Sequence, residues 1–482
     1  MAGVVRGEQL ARLLGHWHGA GGRRAPEYLA LAGAVRGLLT DGRLALGVRM
    51  PAERELSGAL SVSRTMISAA YGSLRGSGHL ISRRGAGSWT ALPGGYRVQL
   101  DGLRAPRLAP GVLDLACAAL PAPPELAGAV AEAAEQLPGY TGGAGYEPTG
   151  LTELREQVAA GYAERGLATD PGQIMITCGV QHAFSLVLGL LVDPGQRVLV
   201  ETPTYPNALR ALVAARARAV SYAIPPAGWD PDLLVATVRS AGARVAYLVA
   251  DYHNPTGHLM DAALRERLVA AAHVAGTDVI VDESFVDLRL SGAPVPPPVA
   301  AFDRWSRVIL MGSMSKPYWG GLRIGWIRAP APVIARLADA RLAVDIATSV
   351  LDQLVAVRLL AGRETIVPAR RAELVRRRAA LVAALTGRLP DWRFQVPDGG
   401  LGLWVELDGP VATALARAAE RLEVRVAAGP RFGVDGTLER FMRLPYTLPA
   451  AELATAVDRL ASARQAIEGS DRFDWGRPAV VA

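Results

Sequence analysis

The chain has 482 residues, of which 50% are hydrophobic and 20% are charged, so an intrinsically disordered protein is excluded and two or three domains are expected. No uninterrupted apolar stretch of about 18 residues occurs, and the first residues lack the apolar run of a signal peptide. We therefore expect a cytoplasmic protein that does not enter a membrane. Two cysteines, Cys117 and Cys178, are too few for a disulfide framework and lack metal-site spacing.

The formal net charge of +7 is concentrated at the beginning of the chain. Residues 1–96 contain 12 arginines and 5 acidic residues, whereas the rest contains 40 basic and 40 acidic residues. A small basic region joined to a large neutral one favours a polyanionic partner for the basic region.

Helical patterns in this basic region are followed by a short hairpin. Apolar residues recur at helical spacing over 27–42, Pro51 and Glu53 open a short helix, and Ser63 is a candidate N-cap for the next one. Short strand-like runs then flank Gly85-Ala86-Gly87. Three helices and a hairpin predict a winged helix-turn-helix domain over residues 25–92.

This pattern resembles the GntR family of transcription regulators, on the segments PAEREL, VSRT and RGAGSW. The resemblance implies binding to double-stranded promoter DNA, with the N-terminal end of the recognition helix at base edges and the wing and its neighbours at the backbone. The alternative is a degenerate winged helix that makes only protein contacts. The implied DNA-binding residues are Arg54, Ser63, Arg64, Thr65, Arg84, Gly85 and Gly87.

The chain changes character after a proline-containing stretch that predicts a linker over 93–112. Apolar runs such as RVLVET, VAYLVAD and TDVIVDE then alternate with helical segments. This alternation predicts an α/β domain over 113–467 with a mostly parallel sheet and a smaller C-terminal α/β subdomain, followed by a tail over 468–482.

Polar and glycine residues follow the predicted strands of this domain. Each has an ordinary structural alternative, such as a strand end, a core aromatic residue, a turn or a helix cap. Their chemistry nevertheless suits a flat phosphorylated ring: helix-start amides for phosphate, an aromatic ring for stacking, an amide for a ring oxygen and a carboxylate for a pyridine nitrogen. The candidates are Gly179, Val180, Gln181, Tyr205, Asn254 and Asp282.

The stretch GSMSKPYWGGLR contains Lys316, which is the only lysine in the chain, since the other 51 basic residues are arginines. Only a lysine amine can lose its proton and form a Schiff base with an aldehyde, because guanidinium stays protonated. The alternative is a survivor of arginine-biased codon usage. In the same stretch Ser313 and Ser315 offer hydroxyl donors and Arg323 a phosphate clamp.

These motifs in this order resemble fold-type I pyridoxal-phosphate enzymes of the aminotransferase family, with NPTG and SMSKPYWGGLRIG as the most specific signatures. The resemblance implies that pyridoxal 5'-phosphate binds at Lys316, that Tyr146 reaches the phosphate of a neighbouring subunit, and that Arg443 binds a substrate α-carboxylate. Phe285 stands where the family usually has a tyrosine that donates to the cofactor. Asp251 and His253 lie in the segment DYHNPTG, which differs from the usual pattern of regulator-type relatives, and their roles are left open.

A GntR-like domain joined to an aminotransferase-like domain resembles the MocR subfamily of regulators. The resemblance implies a homodimer, which could be head-to-tail and domain-swapped, and a large domain that senses pyridoxal phosphate or an amino compound with little turnover. Two other functions are carried forward. One is an active aminotransferase with an accessory DNA-binding domain, and the other is a regulator that keeps the fold only as a dimer scaffold.

Overall fold

The computed structural model describes residues 4–15, 17, 26–41, 43–44, 46–83, 87–92 and 109–468. The predicted sites Arg84 and Gly85, most of the predicted linker and the C-terminal tail lie outside these residues. Within the described part of the chain, no helix is both long and apolar enough to cross a membrane.

The N-terminal part folds as the predicted winged helix-turn-helix. Its elements are α1 (Gly7–Leu14), α2 (Glu27–Thr40), α3 (Glu53–Leu60), α4 (Arg64–Gly76), β1 (Leu80–Arg83) and β2 (Gly87–Thr90). Ser63 caps α4, because its side-chain oxygen accepts the Met66 N–H at 3.2 Å. The two strands pair antiparallel, with Ile81 opposite Trp89.

The core of this domain also includes residues before position 25, where the sequence pattern begins. Val5, Leu10, Leu14 and Trp17 are buried against α2, α3 and α4. Helix α1 contributes because its apolar residues share one face, so the folded unit contains the segment from residue 4 onward as well as the family-like motif.

The large domain is an α/β structure with two sheets. Its strands are β3 (Leu113–Leu115), β4 (Ile174–Thr177), β5 (Arg197–Thr202), β6 (Arg218–Ala223), β7 (Val245–Leu248), β8 (Asp278–Asp282), β9 (Val308–Ser313), β10 (Gly325–Arg328), β11 (Arg393–Phe394), β12 (Gly402–Glu406), β13 (Val424–Ala428) and β14 (Phe441–Pro445).

The central sheet has the strand order β4-β10-β9-β8-β7-β5-β6. Strands β5 to β9 run parallel, and β10 is antiparallel to both of its neighbours. The buried strands read as continuous apolar runs because helices cover both faces. This arrangement confirms the predicted fold class.

Helices surround the two sheets and enclose one large core on each face of the central sheet. The helices are α5 (Leu126–Gln136), α6 (Thr152–Glu164), α7 (Val180–Leu191), α8 (Pro206–Ala214), α9 (Pro231–Ser240), α10 (Ala262–Ala275), α11 (Ala331–Arg341), α12 (Val350–Ala361), α13 (Arg363–Arg388), α14 (Ala412–Glu420) and α15 (Ala450–Glu468).

The second sheet has the order β11-β12-β14-β13-β3 and forms the smaller subdomain. Strand β3 enters the subdomain from the beginning of the large domain and pairs parallel to β13. The segment that follows β3 therefore crosses from this sheet toward the central one, which brings residues 116–118 next to the carboxyl ends of the central strands.

Candidate functional site

The predicted site residues lie at one edge of the central sheet. Gly179 follows β4, Tyr205 follows β5, Asn254 follows β7, Asp282 ends β8 and Lys316 follows β9. Parallel strands present their carboxyl ends at the same edge, where open α/β sheets bind their ligands. The topology therefore brings together side chains that are far apart in sequence.

Lys316 points its amine into this edge. Its Nζ donates a hydrogen bond to the Ala118 carbonyl at 2.8 Å and lies 5.6 Å from the centre of the Phe285 ring. Burial lowers the pKa of Lys316, and the nearby Arg443 charge lowers it further, while Cys117 and Asp282 oppose the shift. An amine with a lowered pKa is more often unprotonated and is thus a better nucleophile.

Asp282 is buried, and each of its oxygens has a donor. One oxygen accepts the Ser284 N–H at 2.9 Å and the other accepts the Tyr247 hydroxyl at 3.1 Å. Burial raises the pKa of Asp282, and these hydrogen bonds and the nearby Lys316 charge work against that shift. A cationic partner in front of the carboxylate would therefore stabilise its charged form.

The turn after β4 is narrow and basic. Gly179 has φ +81°, and a Cβ at this position would lie 2.9 Å from Arg323 Nη2, so the turn requires glycine. Arg323 Nη2 donates to the Cys178 carbonyl at 2.8 Å, and its guanidinium therefore lies beside the start of α7. Val180 and Gln181 form the first turn of α7, where free backbone amides attract anions.

Tyr205 and the two serines lie close to this turn. Tyr205 is half-buried at the start of α8, and its hydroxyl accepts a hydrogen bond from Asn207 at 2.9 Å. Burial raises the pKa of Tyr205, so the hydroxyl stays neutral. Ser313 and Ser315 form a hydrogen-bonded pair at 2.9 Å directly before Lys316.

Arg443 is buried on β14 of the second sheet, facing the same edge. One guanidinium nitrogen donates to Asn254 Oδ1 at 3.2 Å, and the other donates to the Ala116 carbonyl. The guanidinium also lies over the Phe432 ring, 5.1 Å from its centre. Burial lowers the pKa of Arg443 to about 10, which leaves the group cationic at neutral pH.

A narrow cleft lies between Arg443 and Phe285, and its cavity volume of about 10 Å³ holds about one water molecule. Ala118, Tyr252 and Leu401 line its apolar parts, and the glycines around residue 400 leave it open. Phe285 is buried, with no hydroxyl to offer. The cleft therefore combines a cation for a carboxylate with a small, mostly apolar volume beside it.

The turn near Asn254 contains two buried side chains that contact charged partners. Asp251 accepts a hydrogen bond from Arg265 at 2.6 Å, and His253 Nε2 lies 3.1 Å from Glu201 Oε2. Asp251 is fully buried, whereas His253 also lines the cleft beside Arg443.

Tyr146 lies away from the other predicted residues. Its side chain is 65% exposed in the loop before α6. The structure of one chain therefore leaves this ring available to a neighbouring molecule.

Cys178, His182 and Asp345 lie next to the phosphate-type turn, with potential metal-ligating atoms within 4.8 Å of one another. Both oxygens of Asp345 accept hydrogen bonds from Arg341, at 2.8 and 2.9 Å. His182 Nδ1 accepts the Cys178 N–H at 3.1 Å, so the neutral ring carries its proton on the nitrogen that faces Asp345. Asp345 is the counterion of buried Arg341, and we assign these residues a structural role.

The predicted DNA-binding residues lie on the surface of the winged helix. Arg54, Ser63, Arg64, Thr65 and Gly87 are exposed. The Arg64 side chain is 72% exposed and lies 3.6 Å from Glu53. The N-terminal end of α4 therefore presents polar and basic groups to solvent.

Several residues of the site had no signal in the sequence. The carbonyls of Ala116 and Ala118 hold Arg443 and Lys316, although alanine carries no functional chemistry. Tyr247 behind Asp282 lies in an apolar stretch, and Phe432 under Arg443 lies in the segment GPRFG, which carries no motif. Only the fold shows that these residues meet the motif residues, because most of these contacts join distant parts of the chain.

The chain matches two family descriptions, which cover different parts. "Aminotransferase class I and II" matches residues 119–460, and "Bacterial regulatory proteins, gntR family" matches residues 27–89. The chain thus fuses a DNA-binding domain to an aminotransferase domain.

Two relatives and one solved structure have related sequences. The uncharacterized HTH-type transcriptional regulator YisV of Bacillus subtilis (strain 168) is 26% identical over 481 residues, with 93% of this chain and 98% of the relative covered. The HTH-type pyridoxine biosynthesis transcriptional regulator PdxR of Corynebacterium glutamicum is 30% identical, with 79% and 84% covered. LysN, the α-aminoadipate aminotransferase of Thermus thermophilus complexed with N-(5'-phosphopyridoxyl)-L-leucine, superposes with a TM-score of 0.68 at 30% identity, covering 74% of this chain and 93% of that one.

The chain therefore belongs to the aminotransferase class I and II family, whose members depend on pyridoxal phosphate. Its N-terminal GntR domain implies DNA binding, and relatives with both domains are named as transcriptional regulators. The predicted MocR-type architecture is confirmed.

Proposed function

We propose that this protein is a transcription regulator that binds promoter DNA through α4 and its wing, binds pyridoxal phosphate at Lys316, and changes its DNA affinity when an amino compound enters the cleft. One observation carries the proposal. The single lysine amine of the chain lies enclosed between Asp282 and Arg443, while the same chain exposes a basic recognition helix.

The residues present fit the cofactor. The turn at Gly179 has no room for a Cβ beside Arg323, and the amides of Val180 and Gln181 are the natural donors to a phosphate. Asp282, whose pKa burial raises, would gain a cationic partner in a protonated pyridine nitrogen. Tyr205 would stack on the ring, and Asn254, Ser313 and Ser315 would donate hydrogen bonds around it.

Pyridoxal phosphate supplies an aldehyde that condenses with primary amines and a ring that withdraws electrons. The residues of the chain itself orient the ligand and hold or accept protons. Lys316 would provide the amine for the aldehyde, and the lowered pKa of this amine would suit it to act as a base. Arg443 would hold the carboxylate of an incoming amino compound beside the cleft.

We further propose that the working form is a homodimer. The exposure of Tyr146 supports this, because in the resembling enzymes this position reaches the phosphate of the neighbouring subunit. We also propose that the DNA-binding unit begins near residue 4 and the large domain near residue 113, and that residues 93–112 link them.

A binding experiment tests the proposal. The full-length protein, loaded with pyridoxal phosphate, is used to select sites from a random double-stranded DNA library, and the affinity for the selected site is measured with each common amino acid and simple amine. We expect one class of amine to change the DNA affinity by at least fivefold. A protein that stays colourless in excess pyridoxal phosphate would instead favour the scaffold function.

The second candidate function is an aminotransferase, which the complete set of Lys316, Asp282 and Arg443 favours. Phe285 opposes it, because a family hydroxyl that donates to the cofactor is missing. Steady keto-acid production at about 1–1000 per second, an ordinary enzyme rate, without an effect on DNA binding would establish this alternative.

A further inference from the structure

A small group of apolar residues lies between the carboxylate site and the DNA-binding domain. It consists of Ala116, Ala427, Phe432, Leu438 and Phe441, and it is separate from the two large cores of the domain. Trp404 packs against it, stacked on Phe441 at 5.4 Å and edge-on to Phe432 at the same distance. We call this group the Phe432 cluster.

One side of the Phe432 cluster contacts the carboxylate site. The guanidinium of Arg443 covers the Phe432 ring, and its second nitrogen donates to the carbonyl of Ala116. The Phe432 carbonyl accepts the N–H of Thr204, directly before Tyr205, at 2.8 Å. Ala116 and Phe432 thus both contact Arg443. Phe432 also contacts Thr204, which precedes Tyr205, the residue predicted to stack on the cofactor.

The other side contacts the winged-helix domain. The Leu438 N–H donates to the carbonyl of Thr40, the last residue of α2, at 2.5 Å. Arg440 lies 3.5 Å from Asp41, which follows Thr40. Leu438 holds this contact with φ +77°, a left-handed conformation that is strained for a non-glycine residue and persists only when its surroundings enforce it.

A bound carboxylate would share donors with this arrangement. Within the described part of the chain, the buried Nε–H of Arg443 has no hydrogen-bond partner, so a carboxylate with two parallel bonds would take Nε and a terminal nitrogen, and the two terminal nitrogens already donate to Asn254 and Ala116. A carboxylate that draws the guanidinium away from Ala116 or shifts it over Phe432 would change the contacts of the cluster that positions Leu438. A ligand shifts a conformational equilibrium only by binding the two states differently, and this competition for a terminal nitrogen would supply such a difference.

We propose that the Phe432 cluster is the surface through which a carboxylate at Arg443 controls docking of the winged-helix domain at Thr40 and Asp41. The inference rests on the proposed function and adds to it the trigger, which is a carboxylate, and the route to the DNA-binding domain. Carboxylate binding weakens the Leu438–Thr40 contact and so frees the DNA-binding domain.

The test uses the full chain loaded with one of three groups: pyridoxal phosphate, N-(5'-phosphopyridoxyl)-L-alanine, or N-(5'-phosphopyridoxyl)-ethylamine, which lacks the carboxylate. Two quantities are measured in each state. They are the affinity for the selected DNA site and the hydrogen exchange of the segment 434–440, which contains the Leu438 amide. We expect only the alanine adduct to speed exchange in this segment and to change DNA affinity by at least fivefold.

The variant Arg440→Ala removes the cation at the domain contact without touching Arg443. It should exchange as fast as the adduct-loaded parent in every state and lose the DNA response, to within twofold. Arg393→Ala is the matched control, since it removes an exposed arginine from β11 of the same sheet. It should respond like the parent.

A full DNA response in Arg440→Ala, or an equal response to the ethylamine adduct, would overturn the inference and leave the proposed regulator intact. A parent chain that binds cofactor and DNA yet responds to neither adduct would overturn both the inference and the sensing role. Failure to bind cofactor or DNA at all would contradict the proposed function itself.

Discussion

The two domains use positive charge in opposite ways. In the winged helix, Arg64 is exposed and makes only a loose pair with Glu53, so its charge is hydrated and free to meet a phosphate or a base. In the large domain, Arg443 and Lys316 are enclosed, and burial lowers the pKa of each. Exposed cations suit a large polyanion that arrives from solvent. Enclosed cations suit a small ligand that must be held in one orientation and whose protonation state must be controlled.

The largest expected effect concerns the enclosed Lys316 of the large domain. Lys316→Ala should abolish the covalent bond to pyridoxal phosphate, and Lys316→Arg should do the same, because guanidinium does not react with the aldehyde. Borohydride reduction followed by mass spectrometry measures this bond, and Ser315→Ala, which keeps the lysine, is the control that should retain it. Since the chain has no other lysine, any label left in the two Lys316 variants could only be at the N-terminus.

The next effect concerns Arg443, which we expect to hold the carboxylate in the cleft. Arg443→Gln should weaken binding of N-(5'-phosphopyridoxyl)-L-alanine by roughly 100-fold or more, because removing one member of an enclosed charge pair leaves the other without compensation. Calorimetry with the ethylamine adduct, whose affinity should change little, distinguishes this loss from general damage to the fold. Equal losses for the two adducts would mean that Arg443 does not bind the carboxylate.

The third prediction concerns the exposed Arg64 of the winged-helix domain. Arg64→Ala should cost about 1–3 kcal/mol of affinity for the selected DNA site and relax the preference at one base, if the side chain reads that base. Competition between the selected site and random DNA measures both quantities. Equal weakening on the two DNAs would reassign Arg64 to a phosphate contact, and cofactor loading should be unchanged in either case.

The sequence predicted the local parts of both sides and missed the contacts between them. The motif around Ser63 and the residues after each strand could be found because each one lies in a short recognisable stretch. The pairing of Arg443 with Ala116, the Phe432 cluster and the contact from Leu438 to Thr40 could not, because they join segments hundreds of residues apart through backbone atoms and ordinary apolar side chains. Helix α1 was missed for a related reason, since its only signal is a short apolar face.

The smallest expected effect lies where the two domains meet. Asp41 faces Arg440, Glu406 and Arg43, and burial raises its pKa from 3.8 to about 6. A raised carboxyl pKa means that the docked state binds the proton more tightly than the free state. Docking is therefore favoured as pH falls and is weakened as pH rises through 6, and the linkage relation gives roughly a fourfold stronger docking at pH 5.5 than at pH 7.

Asp41→Asn tests this directly, because the amide imitates the protonated carboxyl. Hydrogen exchange of segment 434–440, compared with the parent at the same pH, should be slower in the variant at pH 7, and this difference should shrink by roughly tenfold at pH 5. Asp391→Asn, at an exposed site, should match the parent throughout. Burial lowers the pKa of His79 in the winged helix, but this titration is common to all three chains and cancels in the comparison. If the ratio of the exchange rates of the parent and the Asp41→Asn variant stayed constant from pH 5 to pH 7, the carboxylate would not be held at the contact. The winged-helix domain and the large domain would then have to be coupled through other residues.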